Sequence, residues 1–298
     1  MRVALPTSLA ALLAVPALLS AQDPAPAASQ TQRLRAADGE IQKLLAAMDF
    51  QAALARAEAL LPASKPAFAK GTPKAGLDSS QEYSSLMASY GLAAKCAINA
   101  GEWEKGKGYL EKARDIAREN SAESTTVITP LMDTWNKAME GSRKALADGA
   151  ARRQELEAKE KRTAEEQREL DNFKIHDNNL KNGPMVISSL QSNLDGLKTD
   201  ATGFDGPIAS LEEKLKTEAE DITSKFKGDK AAYVKAVMDP KSKNLSRIEK
   251  PSEKAAWLCR LLVLAPGNSQ ARKQLDILLG KAPAEPEKKK AARPKKKG

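Results

Sequence analysis

Between Tyr83 and Ile116 apolar side chains recur at helical spacing twice, and one glycine separates the two runs. Tyr83, Leu86, Met87, Tyr90, Ala94 and Ala97 share a face of a first helix; Trp103, Leu110, Ala113 and Ile116 share a face of a second. Stripes of this kind are stable only when buried against another helix, and Gly101 lets the chain reverse between them. The rest of the chain has the same character. Ala, Lys, Glu and Leu are abundant, β-branched runs are scarce, and aromatic residues make up only 4% of the 298. Such residues lose least on entering a helix, so the expected fold is all-α.

The stretch "NAGEWEKGKGYLEKA" (99–113) also spells most of a phosphate-binding loop. Gly101, Gly106 and Lys107 fit G-x-x-x-x-G-K-[ST], but Gly108 stands where Ser or Thr would hold magnesium. A working loop follows a strand and leaves its backbone N–H groups open to phosphate. Here a helical run precedes the motif, and Glu102, Trp103, Glu104 and Lys105 crowd its interior. The expected role is a turn: Gly101 bends the chain, Trp103 wedges against a neighbouring pair, Gly106 permits close approach, and Lys107 faces water.

Other segments read as further pairs. Ile41, Leu44 and Leu45 belong to one helix, and Phe50, Ala53, Leu54, Ala57, Leu60 and Leu61 to the next, with Pro62 as its stop. A loop rich in Pro, Gly and Lys leads to a helix starting near 80, capped by Asp78-Ser79-Ser80. Pro130 is expected to start a new helix, and Gly183-Pro184 to break one. Shorter helices are then expected over 186–197, 207–226 and 231–238. The run "EKAAWLCRLLVLAPGN" reads as an apolar helix ending at Pro266, followed by another over 269–279. The resulting organisation is helical pairs over 33–120, long charged helices over 121–182, short helices over 183–250 that read either as a helical insertion or as a separate domain, and a C-terminal pair over 251–280.

Residues 84–118 resemble a tetratricopeptide repeat. Tyr90 matches the aromatic of the first helix, Ala93, Ala94 and Ala97 its small contacts, Gly101 the turn, Trp103 the aromatic opening the second helix, and Gly106, Leu110 and Ala113 the small–large–small series. Phe50, Ala53 and Ala57 match in the first pair, where Met48 replaces the turn glycine. The resemblance implies stacked helix-turn-helix units that hold a protein or peptide partner on the first-helix face. Gln42, Lys95 and Asn99 fall on that face. Lys95 and Asn99 are one turn apart, so both can reach one carboxylate or peptide backbone. A solvated polar face is the plain alternative.

The segment "ARRQELEAKEKRTAEEQREL" carries opposite charges at Glu155–Lys159, Glu157–Lys161 and Arg162–Glu166. A heptad drawn through Met139 and Leu146 meets Arg153, Glu160 and Gln167, a poor coiled-coil seam. A solvated helical arm is expected, with Leu156, Leu170, Phe173 and Ile175 docking.

Little in the sequence points to catalysis. His176 is the only histidine, which excludes a multi-histidine metal site. No catalytic, cofactor or metal residue is assigned. Cys96 and Cys259 are either a disulfide or two buried small side chains.

The ends are distinctive. Residues 1–21 read as a secretory signal, with Arg2, an apolar stretch and a small-residue cleavage site ending at Ala21. A Pro/Ala linker follows over 22–32. The formal charge of +9 is concentrated in the tail, 281–298, which holds eight Lys/Arg and two Glu and is expected to be disordered. Lys288, Lys289, Lys290, Arg293, Lys295, Lys296 and Lys297 would contact a polyanion, either anionic lipid or a cell-wall polymer. Export makes nucleic acid the least favoured target. The function expected is an exported, non-catalytic, periplasmic or extracellular protein-binding scaffold. The alternative is an envelope spacer or oligomer built from the charged helices. A hydrolase with carboxylates gathered from distant segments ranks third.

Overall fold

The computed structural model describes residues 29–242 and 244–281. Among them the secondary structure is helical, without a strand. The helices are α1 (Gln30–Ala46), α2 (Phe50–Glu58), α3 (Pro73–Asn99), α4 (Trp103–Asp148), α5 (Ala150–Ala158), α6 (Ala164–Gly203), α7 (Asp205–Phe226), α8 (Lys230–Met238), α9 (Pro251–Leu264) and α10 (Ser269–Leu278). The all-α expectation holds. The signal segment, most of the Pro/Ala linker and the basic tail beyond Lys281 lie outside the described residues.

Two helix pairs are joined by the same tight turn. After α3, Gly101 adopts φ +81°, its N–H donates to the Ile98 carbonyl, and the Glu102 N–H donates to the Ala97 carbonyl. This is a Schellman closure, which satisfies carbonyls that would otherwise be orphaned at a helix end. After α1, Met48 adopts φ +58°, Met48 donates to Leu45, and Asp49 donates to Leu44. The second turn therefore takes its left-handed residue without glycine. The residue after the left-handed one differs between them: the Asp49 side chain caps α2 by accepting from the Ala52 N–H, whereas Glu102 makes no side-chain cap and only its carbonyl, accepting from Gly106, starts α4.

Alanines set the spacing. Ala53, Ala57, Ala93, Ala94, Ala97 and Ala100 are fully buried, so α1, α2 and α3 approach closely. A Cβ added to Gly106 would stand 2.7 Å from Ile98 Cγ1 and 3.3 Å from the Ala94 carbonyl oxygen, so the glycine sets how near α4 lies to α3. Buried polar groups fix the register of that pair further out. Asn120 donates to the Ser80 carbonyl and the Ser84 hydroxyl, each at 3.1 Å, and Ser124 donates to Ser80 at 2.8 Å.

The chain then leaves the paired helices and comes back. At 1.5 Å per residue α4 is roughly 70 Å long. Its far half packs antiparallel against α6: Ile128 meets Leu190 and Leu194, Met139 meets Gly183, Ser142 meets His176, and Phe173 closes on Gly149 just past the end of α4, while nearer its start Arg118 pairs with Asp205 of α7. Beyond α6 the chain forms α7 to α10. Ile222, Val234, Val237, Met238, Leu258 and Leu261 then join Ile41, Phe50, Leu54 and Cys96 in one core. The main core is thus made from the two ends of the described chain, with the α4–α6 hairpin between them.

Several local expectations are corrected. Helix α1 starts within the expected linker, because Ser29 and Gln32 form a reciprocal capping box and Gln30 donates to Leu60 and Ser89. Helix α3 starts at Pro73 after the Thr72 cap, so Asp78, Ser79 and Ser80 lie inside it. Pro130 interrupts nothing: α4 runs through it, supported by Ile128 against α6. Gly183-Pro184 likewise lies within α6, where a Cβ on Gly183 would meet Met139 Sδ at 2.4 Å. The glycine is an approach point between helices, and continuous packing outweighs the lost proline hydrogen bond. At the arm's end Leu146, Leu156, Leu170 and Phe173 cluster, but Ile175 is 55% exposed. Of the three expected i,i+4 pairs, Glu155–Lys159 forms. Glu157 turns instead to Arg153, Glu166 to Lys159, and Arg162 to the Leu156 and Glu157 carbonyls.

Candidate partner-binding surface

Several helices meet at the turn at Gly101. Arg260 of α9 is 1% exposed and fans out beneath it. Its Nε donates to Glu218 of α7 at 3.0 Å, Nη1 donates to the Gly101 carbonyl at 3.1 Å and to Glu104 at 2.8 Å, and Nη2 donates to Glu104 at 2.8 Å and to Glu218. Every N–H of the guanidinium is used. Its carbon lies 4.9 Å from the Trp103 ring centroid, and Trp103 packs on Trp257 at 5.5 Å. Burial alone would push the guanidinium's pKa down, but the hydrogen bonds to Glu104 and Glu218 outweigh that and hold it above its ordinary value. The same bond from Arg260 holds Glu104 below the usual carboxylate range.

The neighbouring charges fasten other helices. Lys105 pairs with Glu58 of α2 at 2.5 Å and with Glu102 at 3.4 Å. Lys107, expected to face water, pairs with Glu212 of α7 at 2.8 Å. Trp103 does wedge against the next pair. A Cβ on Gly101 would stand 2.4 Å from the Arg260 backbone nitrogen. The apparent phosphate loop is a clamp joining α2, α4, α7 and α9. Arg260 was legible as an anomaly, one charge in the apolar run 255–264, but its partners lie far away in sequence.

The residues read as a partner groove are distributed as follows. Lys95 is exposed and Asn99 half-buried on successive turns at the end of α3. Gln42 is exposed on α1, and its amide donates to Asp38 of the same helix at 3.1 Å. Lys288, Lys289, Lys290, Arg293, Lys295, Lys296 and Lys297 lie outside the described residues. His176 is half-buried, with Nδ1 3.1 Å from the Ser142 hydroxyl. Cys96 and Cys259 are free, and burial pushes each thiol up to about 11. Among the described residues no cluster of His, Cys, Asp and Glu could hold a metal ion, and no helix is long and apolar enough to cross a membrane.

A second surface escaped the sequence reading. The segment between α2 and α3 is laid across α3 and α4. Phe68 meets the edge of Tyr83 at 5.3 Å and packs on the cluster of Tyr83, Leu86 and Ile116. Lys65 pairs with Glu119 and lies 5.5 Å over the Tyr83 ring; Lys70 pairs with Glu123 at 2.6 Å. The Tyr83 hydroxyl donates to the Pro66 carbonyl at 2.8 Å, and the Ala69 N–H donates to Ser79 at 3.0 Å. The only sequence signal was the unusual length of this loop, because its contacts are chosen by side chains one helix away.

These features define an all-helical protein of tightly turned helix pairs, interrupted by a long antiparallel hairpin and tied by a buried arginine. Comparison with protein-family models, curated proteins and solved structures returns no match.

Proposed function

We propose that this chain is an exported, non-catalytic scaffold that binds a protein or peptide on a tetratricopeptide-like helical surface. The observation that carries the reading is the repeated turn. Pairs α1–α2 and α3–α4 share one Schellman closure and an alanine-lined interface. Repeated pairs of this kind present successive first helices side by side, a form suited to holding an extended partner. The clamp also fits a scaffold: buried Arg260 and Glu218 and exposed Glu104 satisfy one another and are spent on joining helices.

Lys95 and Asn99 are the proposed contacts, and the basic tail would keep the molecule near anionic lipid or cell-wall polymer. Pull-down from a native envelope extract tests the surface. The Lys95→Ala/Asn99→Ala variant should lose the captured partner while keeping its helical spectrum; unchanged capture would sink this site.

The antiparallel packing of α4 on α6 favours a second reading, an envelope spacer or oligomer. Light scattering separates the two. A monomer with one captured protein supports the scaffold, and a concentration-dependent elongated assembly supports the spacer.

A further inference from the structure

We infer that the face of α3 and α4 around Tyr83, Glu119 and Glu123 is a receptor for an extended peptide with an aromatic residue between two cations, and that the chain's own residues 62–71 occupy it. This goes beyond the proposed Lys95–Asn99 surface and concerns a different part of α3.

The first argument is length. The turns after α1 and α3 show that helices here reverse within a few residues, yet the chain from the end of α2 to Pro73 runs over 59–72 without helix. A connection alone does not require it. The second is the manner of attachment. Pro62 and Pro66 favour extended backbone, and two backbone groups of the segment, the Pro66 carbonyl and the Ala69 N–H, bond to side chains of α3. That is how a helical surface holds a peptide ligand, with side-chain pockets giving specificity. The third is chemical complementarity. Glu119 and Glu123 lie one turn apart on α4 and take Lys65 and Lys70, while the cluster between them takes Phe68. Most of the segment is exposed, with only Pro62 and Phe68 half-buried, so the contact is shallow. Exposed ion pairs hold weakly in water. The segment stays seated because it is tethered, at an effective concentration on the order of millimolar. A free peptide presenting Lys-x-x-Phe-x-Lys can therefore displace it.

The test uses the full chain and a fluorescent peptide, PASKPAFAKG, corresponding to 62–71. Anisotropy at low salt compares the parent with the Lys65→Ser/Phe68→Ser/Lys70→Ser variant, whose segment is unseated but whose length is kept. The variant should bind the peptide at least tenfold tighter than the parent, and Glu119→Gln/Glu123→Gln in that background should abolish the gain. A folded variant that binds no better than the parent would overturn the inference. Equal binding of KKKAARPKKK, the aromatic-free sequence 288–297, would overturn it too, because the face would then be only an acidic patch. Should the variant not fold, hydrogen exchange on the parent decides. Several millimolar peptide should speed exchange at the Ala69 amide, and unchanged exchange there would count against displacement.

Discussion

Gly101 and Gly108 stand seven positions apart and illustrate how differently two glycines of one motif can behave. Gly101 has φ +81° and α9 backbone against its Cα, whereas a Cβ on Gly108 would meet nothing within 4 Å. Gly101→Ala should therefore cost more than ~2 kcal/mol, combining left-handed strain with a backbone clash. Gly108→Ala, inside α4, should gain ~0.5–1 kcal/mol. Urea midpoints of the two variants measure both signs. Arg260 makes a stronger claim. Arg260→Met leaves Glu218 buried without a counter-charge, so the loss should be about 3–5 kcal/mol, and adding Glu218→Leu should restore much of it. The pH dependence follows from Glu104. Its carboxyl is held below its ordinary value of 4.5 by Arg260, so its stabilising effect is complete above that pH and fades as pH falls through the lower, folded value. Acid unfolding of Glu104→Gln should accordingly be less steep below about 4.5 than that of the parent. The turn at Gly101 and the wedge of Trp103 were legible in the sequence because both are local. The arginine clamp was not, because Glu104, Glu218 and Arg260 come from three distant helices.

The long helices show where local signals mislead. Proline at Pro130 and Gly183-Pro184 reads as a break, yet α4 and α6 pass through both. Each helix has a partner along its length, and packing continues on either side of the defect. Removing the defect should then be favourable. Pro184→Ala restores a backbone donor within α6 and should stabilise the chain by up to ~3 kcal/mol, read as a rise in urea midpoint. A loss of stability would show that the proline itself is required at the Met132–Ile187 groove. The start of α3 was misplaced for a related reason. Asp78-Ser79-Ser80 offers a good cap, but Thr72-Pro73 is also a good one, and packing of Gly76 against Val127 rewards the longer helix.

The molecule as a whole depends on a return. Residues 205–279 complete the core begun by 30–100, and the hairpin of α4 and α6 lies between them in sequence. The basic tail follows Lys281 directly. Deleting 284–298 should abolish low-salt binding to anionic vesicles and leave thermal stability unchanged; vesicle flotation and a melting curve check the two halves of that statement. Helix content, the tight turns and the charged character of the arm follow from spacing and composition, because helix formation is decided within a few residues. Which helices meet was decided only in three dimensions. The closure of α9 on the Gly101 turn, the seating of Phe68 on Tyr83 and the continuity of α6 through Pro184 all depend on side chains far apart in the chain. Their energies exist only once the surfaces are brought together.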